Sequence, residues 1–266
     1  MLGGMKTLLA ILELLGFCSL GVAEEVTKLY EARTYSADSP AEPGKKLTFP
    51  YRLLKPAHIE PGKLYPVVLF LHGAGERGDD NVLQLKYLPT WLASDENRQK
   101  YPCFVIAPQC ASEKKWADVD WSQPDAVPAR EMTDPMRGAI GILNEVVAAN
   151  PVDKQRIYLT GLSMGGYGSW WLAEEMPERF AALVAVCGGG DESRASRLAK
   201  LPIWAWHGDA DTAVPVERSR RMVAAIERAG GKPKYTELKG IGHDSWTPAY
   251  HGENNALAWL FEQRKP

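Results

Sequence analysis

The 266-residue sequence predicts an α/β fold, with a mostly parallel central sheet, helices on both faces and no large cap domain. "YPVVLFLHG", "CFVIAPQ", "RIYLTG", "AALVAVCG" and "PIWAWHG" are short runs, apolar at almost every position. Strands buried on both faces of a parallel sheet have this character. Helical patterns fall between the runs, which gives βαβ units with right-handed crossovers. Only about fourteen residues, "GGDESRASRLAKLP", separate two of the runs where a cap would be inserted, and that is too short for one. The length suits one large α/β domain, residues 24–266, and 45% hydrophobic content supplies its core.

In chain order, the N-terminus reads first as a signal peptide over residues 1–23. Lys6 precedes the apolar "TLLAILELLGFCSLGVA", and Gly21 and Ala23 fit a cleavage site before Glu24. Glu13 interrupts the apolar run, and an N-terminal helix of the mature protein is the alternative. Cys18 follows a bulky Phe17 where a lipid-attachment motif carries a small residue, so export to the periplasm or medium is expected rather than lipid anchoring. With no second long apolar run, no membrane span is expected. "KKLTFPYRLLKP" alternates apolar and polar residues and reads as an antiparallel edge strand.

The helices follow from their punctuation. "DPMRGAIGILNEVVAANP" has Asp134 as N-cap and Pro135 at the first helical position, carries Met136, Ile140, Leu143 and Val147 on one stripe, and stops at Asn150-Pro151. "MGGYGSWWLAEEM" ends before Pro177. "PVERSRRMVAAIERAGG" begins near Pro215 and ends at Gly230-Gly231. "NNALAWLFEQR" puts Leu257, Leu260 and Phe261 on one face.

Cys103, Cys110 and Cys187 remain after the leader. Cys103 and Cys110 bracket a strand, and seven steps of roughly 3.3 Å separate them by about 23 Å, far beyond disulfide reach. Cys187, at a strand end, reads as a small core residue. The formal charge is −2 without a basic stripe, so nucleic acid is not an expected partner.

Ligands of such sheets bind beyond the C-terminal ends of the strands, which puts His72, Ser163, Cys187 and His207 near one rim. There "YLTGLSMGGYGSWW" places Ser163 between Gly161 and Gly165, after a strand and before a helix. This is the context of a G-x-S-x-G turn that exposes a nucleophilic hydroxyl. The helix N-terminus behind it favours developing negative charge. The hydroxyl needs a base, and the chain order on this kind of fold, serine then acid then histidine, leaves His243 and His251. His243 stands in the glycine-rich "KGIGHDSW" after the strand-like "KYTELK"; His251, in "AYHGENN", fits a surface loop. For the acid, "WHGDADTAVP" offers Asp209 and Asp211, which sequence physics barely separates. His72 and His207 read as structural histidines that shape the rim.

"LHGAGERGDDN", "GLSMGG", "HGDADTAVP" and "GIGHDSW", in this order, resemble the α/β-hydrolase superfamily from about Lys63 onward. More narrowly they resemble its secreted phospholipase/carboxylesterase, feruloyl-esterase-like and "predicted peptidase" members. The resemblance implies Asp211 as the acid and an oxyanion hole made by the backbone N–H groups of Met164 and Ala74, with Gly75 the neighbouring alternative to Ala74. It implies two-step acyl transfer, a serine esterase that needs no metal or organic cofactor. Glu76, Arg77 and Asn81 belong to the same extended motif, where a loop-stabilising role is expected. Trp116 and Trp121, on the long "CASEKKWADVDWSQPDAVPARE" segment, and Trp246 beside His243 are candidates for an aromatic substrate wall. Pinning of that loop to the body is the alternative for the tryptophans. Export, an open cleft and tryptophans favour a short-chain, aryl or carbohydrate-linked ester, small or attached to a polysaccharide. A peptidase on the same residues and a non-catalytic binding module are the alternatives.

Overall fold

A computed structural model of the chain describes residues 25–253 and 255–265. The signal-peptide reading of residues 1–23 lies outside them. Among the described residues eight strands form one sheet in the order β1-β2-β4-β3-β5-β6-β7-β8. They are β1 Glu31–Asp38, β2 Lys46–Leu54, β3 Tyr65–Leu71, β4 Phe104–Pro108, β5 Val152–Leu162, β6 Ala182–Val186, β7 Ile203–Gly208 and β8 Lys234–Leu238. From β4 to β8 all neighbours are parallel, while β2 runs antiparallel to both β1 and β4.

The "KKLTFPYRLLKP" strand is therefore antiparallel, but it is not the edge. β1 covers it. "EARTYSAD" has no apolar run because it pairs on one side only and its residues alternate between exposed and half-buried. Along β3 the side chains divide with period two: Val67, Leu69 and Leu71 enter one core and Val68 and Phe70 the other. Both faces are thus sealed, and β3, β4 and β6 are buried at every position.

On the first face lie helices Asp134–Ala149, Met164–Glu175 and Glu217–Arg228; on the second lie Leu88–Leu92, Trp246–His251 and Ala256–Glu262. In the Asp134–Ala149 helix the N-cap is Thr133 and not Asp134. The Thr133 hydroxyl accepts the Met136 N–H at 3.3 Å, a cap worth about 1 kcal/mol, and Asp134 sits in the first turn. Ile140 is only half-buried; Ile142 and Val146 complete the stripe. Cys103, Cys110 and Cys187 are buried free thiols. Among the described residues no helix is long and apolar enough to cross a membrane. The Val186 to Ile203 interval holds no cap, only a 3-10 segment, Glu192–Leu198, packed beside the Glu217–Arg228 helix.

That segment shelters Glu174. The side chain is fully buried, one carboxyl oxygen accepts the Asp191 N–H at 2.9 Å, and the other has no partner. Burial pushes this carboxyl up to about 8 from the ordinary 4.5. Below pH 4.5 both folded and unfolded chains hold the proton. Between 4.5 and 8 only the unfolded chain releases it, so folding loses stability as pH rises through that window. Glu174→Gln should therefore raise the melting temperature relative to wild type at pH 8 and not at pH 4.5. An equal difference at both pH values in thermal melts would show that the carboxyl ionises normally in the fold.

Candidate active site

Because the strands from β3 to β8 run parallel, the chain leaves β3, β5, β6, β7 and β8 on the same edge of the sheet. His72, Ser163, Cys187, His207 and the loop carrying His243 gather there. Ser163 occupies the tight turn between β5 and the helix Met164–Glu175, with φ 55° and ψ −120°, an uncommon conformation for a residue with a side chain. Two glycines make room for it. A Cβ on Gly165 would stand 1.9 Å from the Leu71 carbonyl oxygen, and one on Gly161 would stand 2.3 Å from that of Gly165. The turn is tied to β6 by the Ser163 N–H, which donates to Val186 O at 3.0 Å.

The Ser163 hydroxyl lies 2.9 Å from Nε2 of His243, and His243 Nδ1 lies 2.7 Å from Oδ2 of Asp211. With Asp211 ionised, Nδ1 donates and Nε2 is left to accept from Ser163. The other Asp211 oxygen accepts the Ala213 and Val214 N–H groups at 2.8 and 3.0 Å. Burial alone would raise this carboxyl. Hydrogen bonds from His207, His243 and the Val214 N–H outweigh it and hold Asp211 well below the ordinary carboxylate range. Asp209, two residues earlier, instead accepts the Gly240 N–H at 2.6 Å. His251 stands away from this cluster, its ring against Trp91.

Met164 is the first residue of its helix and Ala74 the first of the 3-10 turn Ala74–Glu76, so the N–H of each lacks a partner within its own helix. The turn is fixed from below by His72. Its Nδ1–H donates to Gly73 O at 2.6 Å and its Nε2 accepts the Cys110 N–H at 3.0 Å. Burial pushes this imidazole down to about 4, so it stays neutral in that tautomer. Arg77 donates to Ala74 O at 2.9 Å. Asn81, with φ 53°, donates its N–H to Gln109 at 2.6 Å and takes a bond from Gln84.

A cleft of about 370 Å³ opens over Ser163, walled by Ala74, Glu76, Tyr87, Trp121, Val214 and Trp246. Trp246 packs edge-on against His243 at 5.2 Å between ring centres. Trp121 is held partly exposed by Lys115 over its face, and its loop is clamped where Arg218 and Arg221 donate to Pro124 O. Trp116 does not belong to the wall. It is fully buried, its indole N–H donates to His72 O at 3.0 Å, and it pins the long loop beneath the Ala74–Glu76 turn. Sequence reasoning missed Tyr87 as a lining residue. Its ring meets that of Trp246 at a tilt, 5.2 Å between centres, and its positive φ of 63° has no glycine to announce it. Glu76 was expected to stabilise its loop; its buried carboxyl also lines the cleft, where burial pushes it up and backbone hydrogen bonds at Gly73 and Glu76 act the other way.

One group of three metal-type donors occurs among the described residues, Cys187, Asp211 and His243, with ligand atoms within 4.8 Å. Burial pushes the Cys187 thiol up, so the sulfur keeps its proton, and the other two atoms are engaged with each other. The donor set is a poor one for a metal.

The profile of the phospholipase/carboxylesterase family matches residues 59–251. The chain belongs to that family. Its fold is the α/β-hydrolase fold, and its class is that of esterase-family hydrolases. A thermostable esterase of known crystal structure is 38% identical, with a TM-score of 0.79 over 90% of this chain and 64% of that one. An acylaminoacyl peptidase from Pyrococcus horikoshii shares the fold at 16% identity, with a TM-score of 0.58 over 81% of this chain and 38% of its own. This chain thus spans just under two thirds of the esterase and well under half of the peptidase. A probable inactive carboxylesterase from Oryza sativa subsp. japonica is 23% identical over 189 residues, 66% of this chain and 77% of that protein.

Proposed function

We propose that this family member is an active serine esterase that uses Ser163, His243 and Asp211 as its nucleophile, base and acid. The observation that carries the reading is the unbroken relay, 2.9 Å from Ser163 Oγ to His243 Nε2 and 2.7 Å from His243 Nδ1 to Asp211 Oδ2. In this mechanism His243 takes the Ser163 proton as the oxygen attacks the acyl carbon. The tetrahedral oxyanion forms against the N–H groups of Met164 and Ala74. The imidazolium then gives its proton to the departing alcohol, leaving an acyl-enzyme. Water, deprotonated by His243, releases the acid and restores Ser163. A pre-aligned relay of this kind supports activity in this chain, whatever holds for the rice relative.

The substrate we favour is an ester of a short acyl chain with an aryl or carbohydrate alcohol, met outside the cytoplasm. Among the described residues no cap covers Ser163, and the cleft walls are aromatic on the Trp121, Tyr87 and Trp246 sides. Each acyl methylene left in water forgoes the roughly 0.8 kcal/mol that burial supplies. Rates on p-nitrophenyl esters should therefore fall as the acyl chain lengthens, and tributyrin hydrolysis should show no jump when droplets form. The test is a panel of p-nitrophenyl esters, feruloyl esters, acetylated xylan and aminoacyl amides, run on purified protein and on cell fractions. Preference for long acyl chains would show that the Trp121 loop acts as a lid. Faster cleavage of amides would make the protein a peptidase, and activity confined to the cytoplasm would sink the export reading.

A further inference from the structure

We propose that His207 is a positioning residue for the acid, orienting Asp211 toward His243 through an Nε2–H donor. The proposal rests on the relay reading above and adds a fourth member to it.

His207 is the penultimate residue of β7 and is fully buried. Its Nε2 lies 3.0 Å from Val214 O and 3.3 Å from Asp211 Oδ2. A carbonyl and an ionised carboxylate can only accept, so the proton must sit on Nε2. On the other side of the ring, Nδ1 meets Ser219 Oγ at 2.7 Å, and that hydroxyl also lies 3.1 Å from Gly188 O. The ring is thereby clamped from the Glu217–Arg228 helix, from the loop after β7 and from the exit of β6.

The consequence falls on Asp211. His243 Nδ1–H donates to Oδ2, two backbone N–H groups converge on Oδ1, and His207 Nε2, whose proton donates to Val214 O at 3.0 Å, stands 3.3 Å from Oδ2 on its other side. A carboxylate offers about four acceptor positions; three are taken, and His207 Nε2 stands at the fourth. Rotation of the carboxylate would strand at least one buried donor, which is costly. His207 also draws part of the negative charge on Oδ2 away from His243, which tempers how tightly Asp211 holds an imidazolium.

Among the described residues no other side chain near the relay does this work. The Cys187 thiol and the Tyr167 phenol face Asp211 from the β6 turn and the Met164–Glu175 helix, and burial pushes both up, so they stay neutral. Glu237 on β8 faces His207 but is paired with Arg220. Asp244, next to His243, is bonded to Thr247. None of these donates to Asp211.

The experiment compares His207→Phe with His207→Gln, whose amide N–H reaches the Nε2 position. Readouts are kcat and KM for p-nitrophenyl acetate, the pH profile of kcat/KM, fluorophosphonate labelling and melting temperature. In His207→Phe, kcat should fall about tenfold, the loss of one charge-assisted hydrogen bond. KM should hold, and the acid limb of the profile should move to higher pH, because Asp211 with one donor fewer holds the imidazolium more firmly. His207→Gln should return the limb and most of the rate. An unmoved limb in His207→Phe, or equal impairment of both variants, overturns the proposal. Should neither fold, Ser219→Ala keeps the donor and loosens the ring. It should shift the limb the same way by less, and an unmoved limb there overturns the proposal as well. Failure of the relay itself shows separately, as turnover or labelling that survives Ser163→Ala, and it overturns both readings.

Discussion

Ser163→Ala should lower kcat on p-nitrophenyl acetate by about six orders of magnitude, to what the oxyanion site and binding alone supply. The Ser163 hydroxyl makes one hydrogen bond, to His243, and stands partly exposed at the floor of the cleft. Its removal deletes the attacking atom and little packing. The backbone strain at φ 55° is the same for alanine, so the melting temperature should hold within a degree or two of wild type. Fluorophosphonate labelling should vanish in the same variant, since only a hydroxyl with a base in place attacks phosphorus quickly. Labelling or turnover that persists would move the nucleophile elsewhere. A wild-type chain that neither labels nor hydrolyses any ester or amide would be a non-catalytic member of the family.

The parts of the fold legible in sequence are those where burial is two-sided. β3, β4, β6 and β7 are nearly continuous apolar runs because each sits between helices on both faces. β1 left no such trace, since one neighbour and mostly exposed faces ask nothing distinctive of its residues. At the rim, the turn around Ser163 was legible because steric demand at Gly161 and Gly165 is written into residue type. Tyr87 has the same positive φ without a glycine, so it stayed hidden.

Trp116 and Trp121 lie five residues apart on one loop and look alike in sequence. What separates them is His72 O, 44 residues from Trp116, which takes its indole N–H and buries the ring. Asp209 and Asp211 pose the same problem. Each meets a donor from the loop after β8, Gly240 N–H for the first and His243 Nδ1–H for the second. Which carboxylate meets which donor depends on the register between β7 and β8, and residue type does not encode that register.

Asp211→Asn should cost about four orders of magnitude in kcat, whereas Asp209→Asn should cost little. The geometry dictates how an amide would sit at position 211. Two backbone N–H groups, of Ala213 and Val214, point at Oδ1 at 2.8 and 3.0 Å, so the amide oxygen must take that place. The NH2 is then forced into the Oδ2 position, facing His243 Nδ1 at 2.7 Å and His207 Nε2 at 3.3 Å. Facing an NH2 donor, His243 Nδ1 must accept, which moves the imidazole proton to Nε2. There it confronts the Ser163 hydroxyl with a donor and removes the base. The variant should fold, because the two backbone bonds survive, yet it should react with fluorophosphonate far more slowly. At Asp209 an amide oxygen keeps the single Gly240 N–H bond, and nothing in the relay changes. Steady-state kinetics on both variants, with melts to confirm folding, decide the matter. A larger loss in Asp209→Asn would place the acid two residues earlier and make the His243–Asp211 contact structural.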